Sequence, residues 1–282
     1  MRIGMHVRGF VRGRPVAVEE ARRRGAETLQ IFFSNPRAWR PSLVTAEADA
    51  ELVDERKKAG IEPMFLHAPY LVNLASPDLR TRTLSAGCVR RGLERAQGLD
   101  AAVVVHGGSA LGGSRTAAIR RQARAILSLL GGGPAGPRLL LEMTTGAPGH
   151  LVSRFPEAAR MLDACAGHAR LGVCVDTCHL FAAGYDLSTA PGVEALVDEL
   201  CAEIGRERLW LVHANDARDP CGSRRDRHWH VGKGSIGPRG FAALVAEPRL
   251  VEVPFICETP GDEDDDRRNI RYLKRLRTRS RI

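Results

Sequence analysis

Eight short apolar runs recur along the chain, and segments of helical character separate them. The runs are Arg2–Val7, Glu27–Phe33, Glu62–Leu66, Ala101–Val105, Arg138–Leu141, Leu171–Val175, Leu209–Val212 and Val253–Cys257. Helices are predicted over Pro15–Arg24, Thr45–Ala59, Asp78–Gln97, a stretch ending near Leu130, Ser153–Ala166, Gly192–Ile204, Phe241–Ala246 and from Asp262 onward. Gly25 and Gly60 close the first two, and Thr45 opens the second with Glu47 and Asp49 in its first turn. Strict strand–helix alternation makes a parallel sheet with helical cover, and eight units predict a closed (β/α)8 TIM barrel. An open doubly wound sheet is the alternative, which the strand pattern alone does not separate.

Six consecutive runs end on a residue able to bind a metal: His67, His106, Glu142, Asp176, His213 and Glu258. In a β/α barrel every strand C-terminus opens onto one mouth, so residues far apart in the chain converge there. Three residues after Asp176 comes His179, predicted to lie in a polar loop. Downstream, Asp226 and His228 stand two apart in DRHWH and face the same way if the segment is extended. Imidazole and carboxylate are zinc ligands of hydrolytic sites. Nine such residues exceed one tetrahedral ion and point to a cluster. Clustered metals serve phosphoester hydrolysis, by activating water and stabilising the leaving oxygen.

The formal net charge of +9 favours a polyanionic partner, although many arginines could equally cover solvated helix faces. Seven cysteines, scattered and without a C-x-x-C pair, read as reduced packing thiols; Cys174 and Cys178 lack zinc-finger spacing and are not taken as ligands. No signal-peptide core and no apolar run of membrane length is present, so a cytoplasmic location is expected, with no membrane partner. GGGPAGP at 131–137 is a loop between helix and strand. The chain is therefore expected to be one domain, 1–282, with a basic tail at about 271–282. Gly232, Gly234 and Gly237 spell G-x-G-x-x-G, but after a histidine-rich loop rather than a strand, and no nucleotide cofactor is expected. His150, His168 and His230 are expected at the surface, and His6 at the mouth behind the ligands.

The segments HAPYLVNLASP, HGGS, LEMTTG, GVCVDTCHLFAAGYD, HANDA, GSRRDRHWHVGKGSIG and CETP, in this order and across almost the whole chain, resemble the endonuclease IV family of apurinic/apyrimidinic endonucleases. The resemblance implies three zinc ions, with manganese an alternative at one site. His67, His106 and Glu142 would hold the first. Glu142, Asp176, His213 and Glu258 would hold the second, and His179, Asp226 and His228 the third. It implies hydrolysis 5′ to an abasic site in duplex DNA, leaving a 3′-hydroxyl, with Glu142 bridging two ions and Glu258 orienting or deprotonating the attacking water. By position Arg37 would enter the DNA, while Tyr70 and Leu71 would wedge into the base stack; extruding a nucleotide needs such a filler. A monomer is expected. The sequence departs from the family at Gly107 (usually proline), Met143 (usually asparagine), Lys233 (commonly acidic) and the segment RGFVRGRP. Two rival functions share the ligand pattern in part: a metal-dependent sugar isomerase or epimerase, and a DNA-lesion-binding protein without catalysis.

Overall fold

A computed structural model describes residues 1–40 and 42–280. Eight parallel strands close into a barrel: β1 Ile3–His6, β2 Leu29–Phe32, β3 Met64–His67, β4 Ala101–His106, β5 Leu139–Glu142, β6 Leu171–Asp176, β7 Leu209–His213 and β8 Phe255–Cys257. Closure is made by β1, which pairs with β8 (Ile3 opposite Phe255) and with β2 (Met5 opposite Leu29). An open sheet is thereby excluded.

Around the barrel run α1 Ala17–Arg24, α2 Ala46–Ala59, α3 Leu79–Leu99, α4 Arg115–Leu130, α5 Phe155–Ala164, α6 Thr177–Ala182, α7 Ala190–Glu203, α8 Gly237–Ala246 and α9 Glu263–Arg279. Their ends follow local chemistry. The side chains of Thr45, Asp78, Ser114 and Thr189 accept the backbone N–H three residues on, which satisfies an otherwise orphaned donor. Gly25 and Gly60 end α1 and α2 at φ of 76° and 63°. Among the described residues, no helix is long and apolar enough to cross a membrane.

Three features differ from the sequence expectation. The stretch after Asp176 is not a loop but α6, whose first turn Asp176 caps by accepting His179 N–H at 3.0 Å. The predicted basic tail is the end of α9: Lys274 and Arg277 reach Glu27 at 3.0 and 2.6 Å and fasten the last helix beside β1, where Glu27 also accepts Ile3 N–H. Its residues 281–282 lie outside those described. The polar loop after β7 carries a small antiparallel ribbon, with Ala217 opposite His228.

Inside the barrel an apolar plug of Phe65, Val104, Leu140, Cys174, Leu211 and Ile256 is buried. Each lies two residues before a candidate ligand, in the order His67, His106, Glu142, Asp176, His213 and Glu258. Side chains two apart on a strand share a face. The plug therefore floors the layer that the ligand-type residues form at the mouth.

Candidate metal centre

Glu142 sits at the middle of this layer, 1% exposed. One carboxylate oxygen is 3.0 Å from His67 Nε2 and 3.2 Å from His106 Nε2; the other is 3.0 Å from His213 Nδ1 and 3.5 Å from His179 Nδ1. His213 Nδ1 is also 3.3 Å from Glu258. At the side, Asp226 Oδ1 is 3.2 Å from both His179 Nε2 and His228 Nε2, and His228 Nε2 is 3.4 Å from Asp176. The nine candidate residues thus meet as three groups whose donor atoms lie within 4.8 Å of one another: His67, His106 and Glu142; Glu142, Asp176, His213 and Glu258; and His179, Asp226 and His228. Glu142 belongs to two of them. A further group, Asp176, Cys178 and His228, brings in a cysteine that its spacing sets aside. Burial pushes the Cys178 thiol up, so it is held neutral.

The donor set suits metal ions. Two ligands on one tetrahedral zinc stand about 3.3 Å apart, which these separations match. Three imidazoles turn Nδ1–H to a backbone carbonyl: His67 to Ala68 (2.7 Å), His179 to Met143 (2.9 Å) and His228 to Glu258 (3.1 Å). His213 donates Nε2–H to Gln30 Oε1 at 2.9 Å. In each, one ring nitrogen is committed to an oxygen behind it and the other faces the carboxylates, the usual backing of a metal-binding histidine. The Nε2 atoms of His179 and His228 are buried without a hydrogen-bond partner. Both face Asp226 Oδ1 at 3.2 Å without an aligned hydrogen bond, an arrangement that an ion among the three would satisfy.

Charge is compensated by protons where cations would sit. Burial pulls the His228 imidazole down, but Asp176 and Asp226 outweigh it and hold it up at about 9. His179 and His213 are raised well above the usual range, again against burial, by Asp176 and Asp226 for His179, and by Cys174, Glu258 and Glu142 for His213. Glu142 is held well below the usual carboxylate range, because His106 and His213 outweigh burial.

Two residues of this layer are not singled out by the sequence. Gln30 donates to Glu258 at 2.6 Å while accepting from His213. Asn215 donates to Asp176 at 2.7 Å and accepts Glu258 N–H at 2.7 Å. His6 stands behind the ligands as expected, 3.2 Å from Glu258. His150, His168 and His230 are half-buried rather than exposed: His150 pairs with Ser109 in a β-bridge, His168 meets the Gly131 carbonyl at 3.0 Å, and His230 packs beside Asp265 of α9.

A cleft of about 460 Å³ lies over the layer, walled by Phe32, Tyr70 and Thr259. Tyr70 is 58% exposed and Leu71 39% exposed. The Tyr70 ring lies 6.2 Å from that of His106, and Tyr70 N–H reaches the Pro36 carbonyl next to the exposed Arg37. Of the three residues expected to touch DNA, Tyr70 walls the cleft, Leu71 follows it in the chain, and Arg37 follows the Pro36 that Tyr70 bonds. The glycine loop of Gly232, Gly234 and Gly237 wraps the buried Asp216 carboxylate, which accepts the N–H groups of Gly234, Ile236 and Gly237. Its cradle is filled from within the chain.

Two departures from the family pattern find local reasons. At Gly107 a Cβ would come within 2.6 Å of Val152, and Gly107 N–H, which proline lacks, donates to the Glu142 carbonyl at 2.9 Å. Met143 is fully buried and orients His179 through its carbonyl, which any residue supplies.

The profile of the xylose isomerase-like TIM barrel family matches residues 18–276. A protein of Chloroflexus aurantiacus named probable endonuclease 4 is 38% identical over 273 residues, covering 95% of this chain and 93% of its own. The crystal structure of endonuclease IV from Thermus thermophilus superposes with a TM-score of 0.87 at 34% identity, covering 99% of this chain and all of that one. The chain belongs to the endonuclease IV family. Membership makes it a hydrolase, an endonuclease. A D-tagatose 3-epimerase-like protein shares the barrel, with a TM-score of 0.74 over the whole chain and 98% of its own. At 22% identity that likeness extends to the fold alone.

Proposed function

We propose that this endonuclease IV family member hydrolyses the phosphodiester 5′ to abasic sites in duplex DNA, leaving a 3′-hydroxyl and a 5′-deoxyribose phosphate. The observation that carries the reading is the sharing of Glu142 between two ligand groups, with a third group beside them, under one open cleft. His67, His106 and Glu142 would hold one zinc ion; Glu142, Asp176, His213 and Glu258 a second; His179, Asp226 and His228 a third, with manganese an alternative at one of these. Bound there, the ions supply an activated water and neutralise charge on the phosphoryl group and leaving oxygen.

The chain's own residues do the rest. Glu258, held by Gln30, His6 and Asn215, would orient the water and take its proton. Glu142 holds two ligand groups at a set separation, so the phosphoryl group meets both at once. Arg37, Tyr70 and Leu71 enter the duplex and fill the gap left by the extruded nucleotide. The net charge of +9 steers the polyanion to the mouth. The same reading takes the chain as one domain, a cytoplasmic monomer that uses no nucleotide cofactor.

The test is incision of a duplex carrying a single abasic analogue, by metal-replete protein, with and without chelator. A nick on the 5′ side that chelator abolishes is expected. A chelator-resistant nick, or binding without any nick, would overturn the assignment. The second outcome would favour a lesion-binding protein.

A further inference from the structure

Leu111 occupies the loop that follows β4 and His106, and its backbone stands at φ 47°, in the left-handed region. A branched side chain pays for that region in steric crowding, which glycine escapes and asparagine tolerates. Among the described residues the other non-glycine ones there are Arg12, Asp100, Ala166 and Arg224, each polar or small. Leu111 is the large apolar one, and its side chain is 64% exposed. A leucine held in the left-handed backbone region with most of its surface in water buries little apolar area for the fold.

The loop is nonetheless well anchored. Asn73 clamps it, donating to the Ser109 carbonyl at 2.9 Å and accepting Ser109 N–H at 3.1 Å. Ala110 N–H reaches Gly149 at 2.8 Å, and Leu151 N–H reaches Gly108 at 3.1 Å. Leu111 N–H itself donates to Ser109 Oγ at 3.2 Å. The loops after β3, β4 and β5 are thereby bonded into one plate. Tyr70 and Leu71 are exposed on its first loop, just before the Asn73 clamp.

Resting on the proposed function, we infer that Leu111 is a third apolar contact to the abasic duplex, packing on its sugar and base edges beside the Tyr70–Leu71 wedge. The occupant is nucleic acid rather than protein because the plate borders the ligand layer of a chain with net charge +9. The cost of the backbone state is kept because a rigid apolar tip loses little freedom on binding.

The test compares wild type with L111G, L111N and L111M, using steady-state incision of a duplex bearing one tetrahydrofuran residue and the thermal midpoint of each protein. L111G and L111N are expected to melt at or above the wild-type temperature, to raise KM about tenfold through lost apolar contact, and to keep kcat. L111M is expected to stay within about twofold of wild type. An unchanged KM in L111G and L111N overturns the inference while leaving incision in place. A lowered melting temperature in L111G shows that the side chain packs on the protein, and overturns it too. A wild type that does not incise removes the underlying assignment and this inference with it.

Discussion

Six barrel strands carry two layers that differ by two residues. The lower one, Phe65, Val104, Leu140, Cys174, Leu211 and Ile256, is dry and apolar. The upper one, His67, His106, Glu142, Asp176, His213 and Glu258, is almost as buried at four positions, with half-exposed His106 and Glu258 at the rim, yet fully ionisable. Backbone geometry is the same in both, so placement alone does not make a site. The lower layer is stable by itself: close packing and exclusion of water suffice. The upper layer must satisfy each buried charge with a partner, and it does so through neighbours that are neither apolar nor ligands, Gln30, Asn215 and His6. The dry floor also closes the barrel beneath the charges, so water and substrate reach them from the mouth only.

The sharpest way to break this comparison is at one strand. Glu142→Gln should lower kcat/KM for abasic-duplex incision by about a thousandfold or more, since it weakens two ligand groups together. Metal analysis of the purified variant should show fewer ions per chain, with the fold kept by circular dichroism. Two residues earlier, Leu140→Ala should do the reverse. It should cost about 2–5 kcal/mol of unfolding free energy through the cavity left, while metal content and kcat at low temperature stay near wild type. A Leu140→Ala protein that folds well but loses its metals would show that the two layers are not separable.

Protonation separates the layers next. With the metals chelated, His228 is held at about 9 against an unfolded value near 6.5. Its raised value contributes stability that is fully present below about pH 6.5 and is lost as pH rises through about 9, on the order of 3 kcal/mol. The depressed carboxylates Glu142 and Glu258 contribute above their ordinary range and lose it only in strong acid. The chelated protein should therefore melt highest near about pH 5–6.5 and fall toward about pH 9.5. The metal-loaded protein should stay level over that rise, because a ligating imidazole is neutral and has no second proton to lose. Parallel falls in both forms would place the titration outside the three ligand groups.

Much of this is legible beforehand because barrel topology converts a one-dimensional regularity into convergence. A ligand-type residue at the end of each of six successive apolar runs is visible without coordinates, as is the Asp226–His228 pair. Gln30 escapes notice because β2 ends on Phe32, not on a ligand; its place beside His6 depends on pairing between β1 and β2, which sequence does not display. Asn215 lies beyond the end of β7 and turns back to Asp176 only through the ribbon that follows. The α6 turn reads as loop because its helical character rests on six residues and one cap, too short for any periodicity. The half-buried histidines are missed for the opposite reason, since tertiary neighbours cover segments that are polar in themselves.

Backing residues should matter less than ligands and more than the rim. Gln30→Ala should weaken metal binding about 10–100-fold, read as the chelator concentration that halves activity, because it frees both His213 and Glu258. Smallest of all should be Lys233→Ala. Lys233 is exposed, and its loop is shaped by Asp216 and by a backbone bond from Lys233 N–H to His230 rather than by the side chain. Removing the ammonium therefore should leave the loop and the melting temperature unchanged and take away one positive charge from the surface offered to the proposed duplex. KM should rise by less than about threefold at low salt, with a shallower salt dependence by about one counterion, and kcat should hold. If kcat fell instead, the glycine loop would belong with the upper layer and the chemistry would reach further from the strand ends than the ligand groups alone imply.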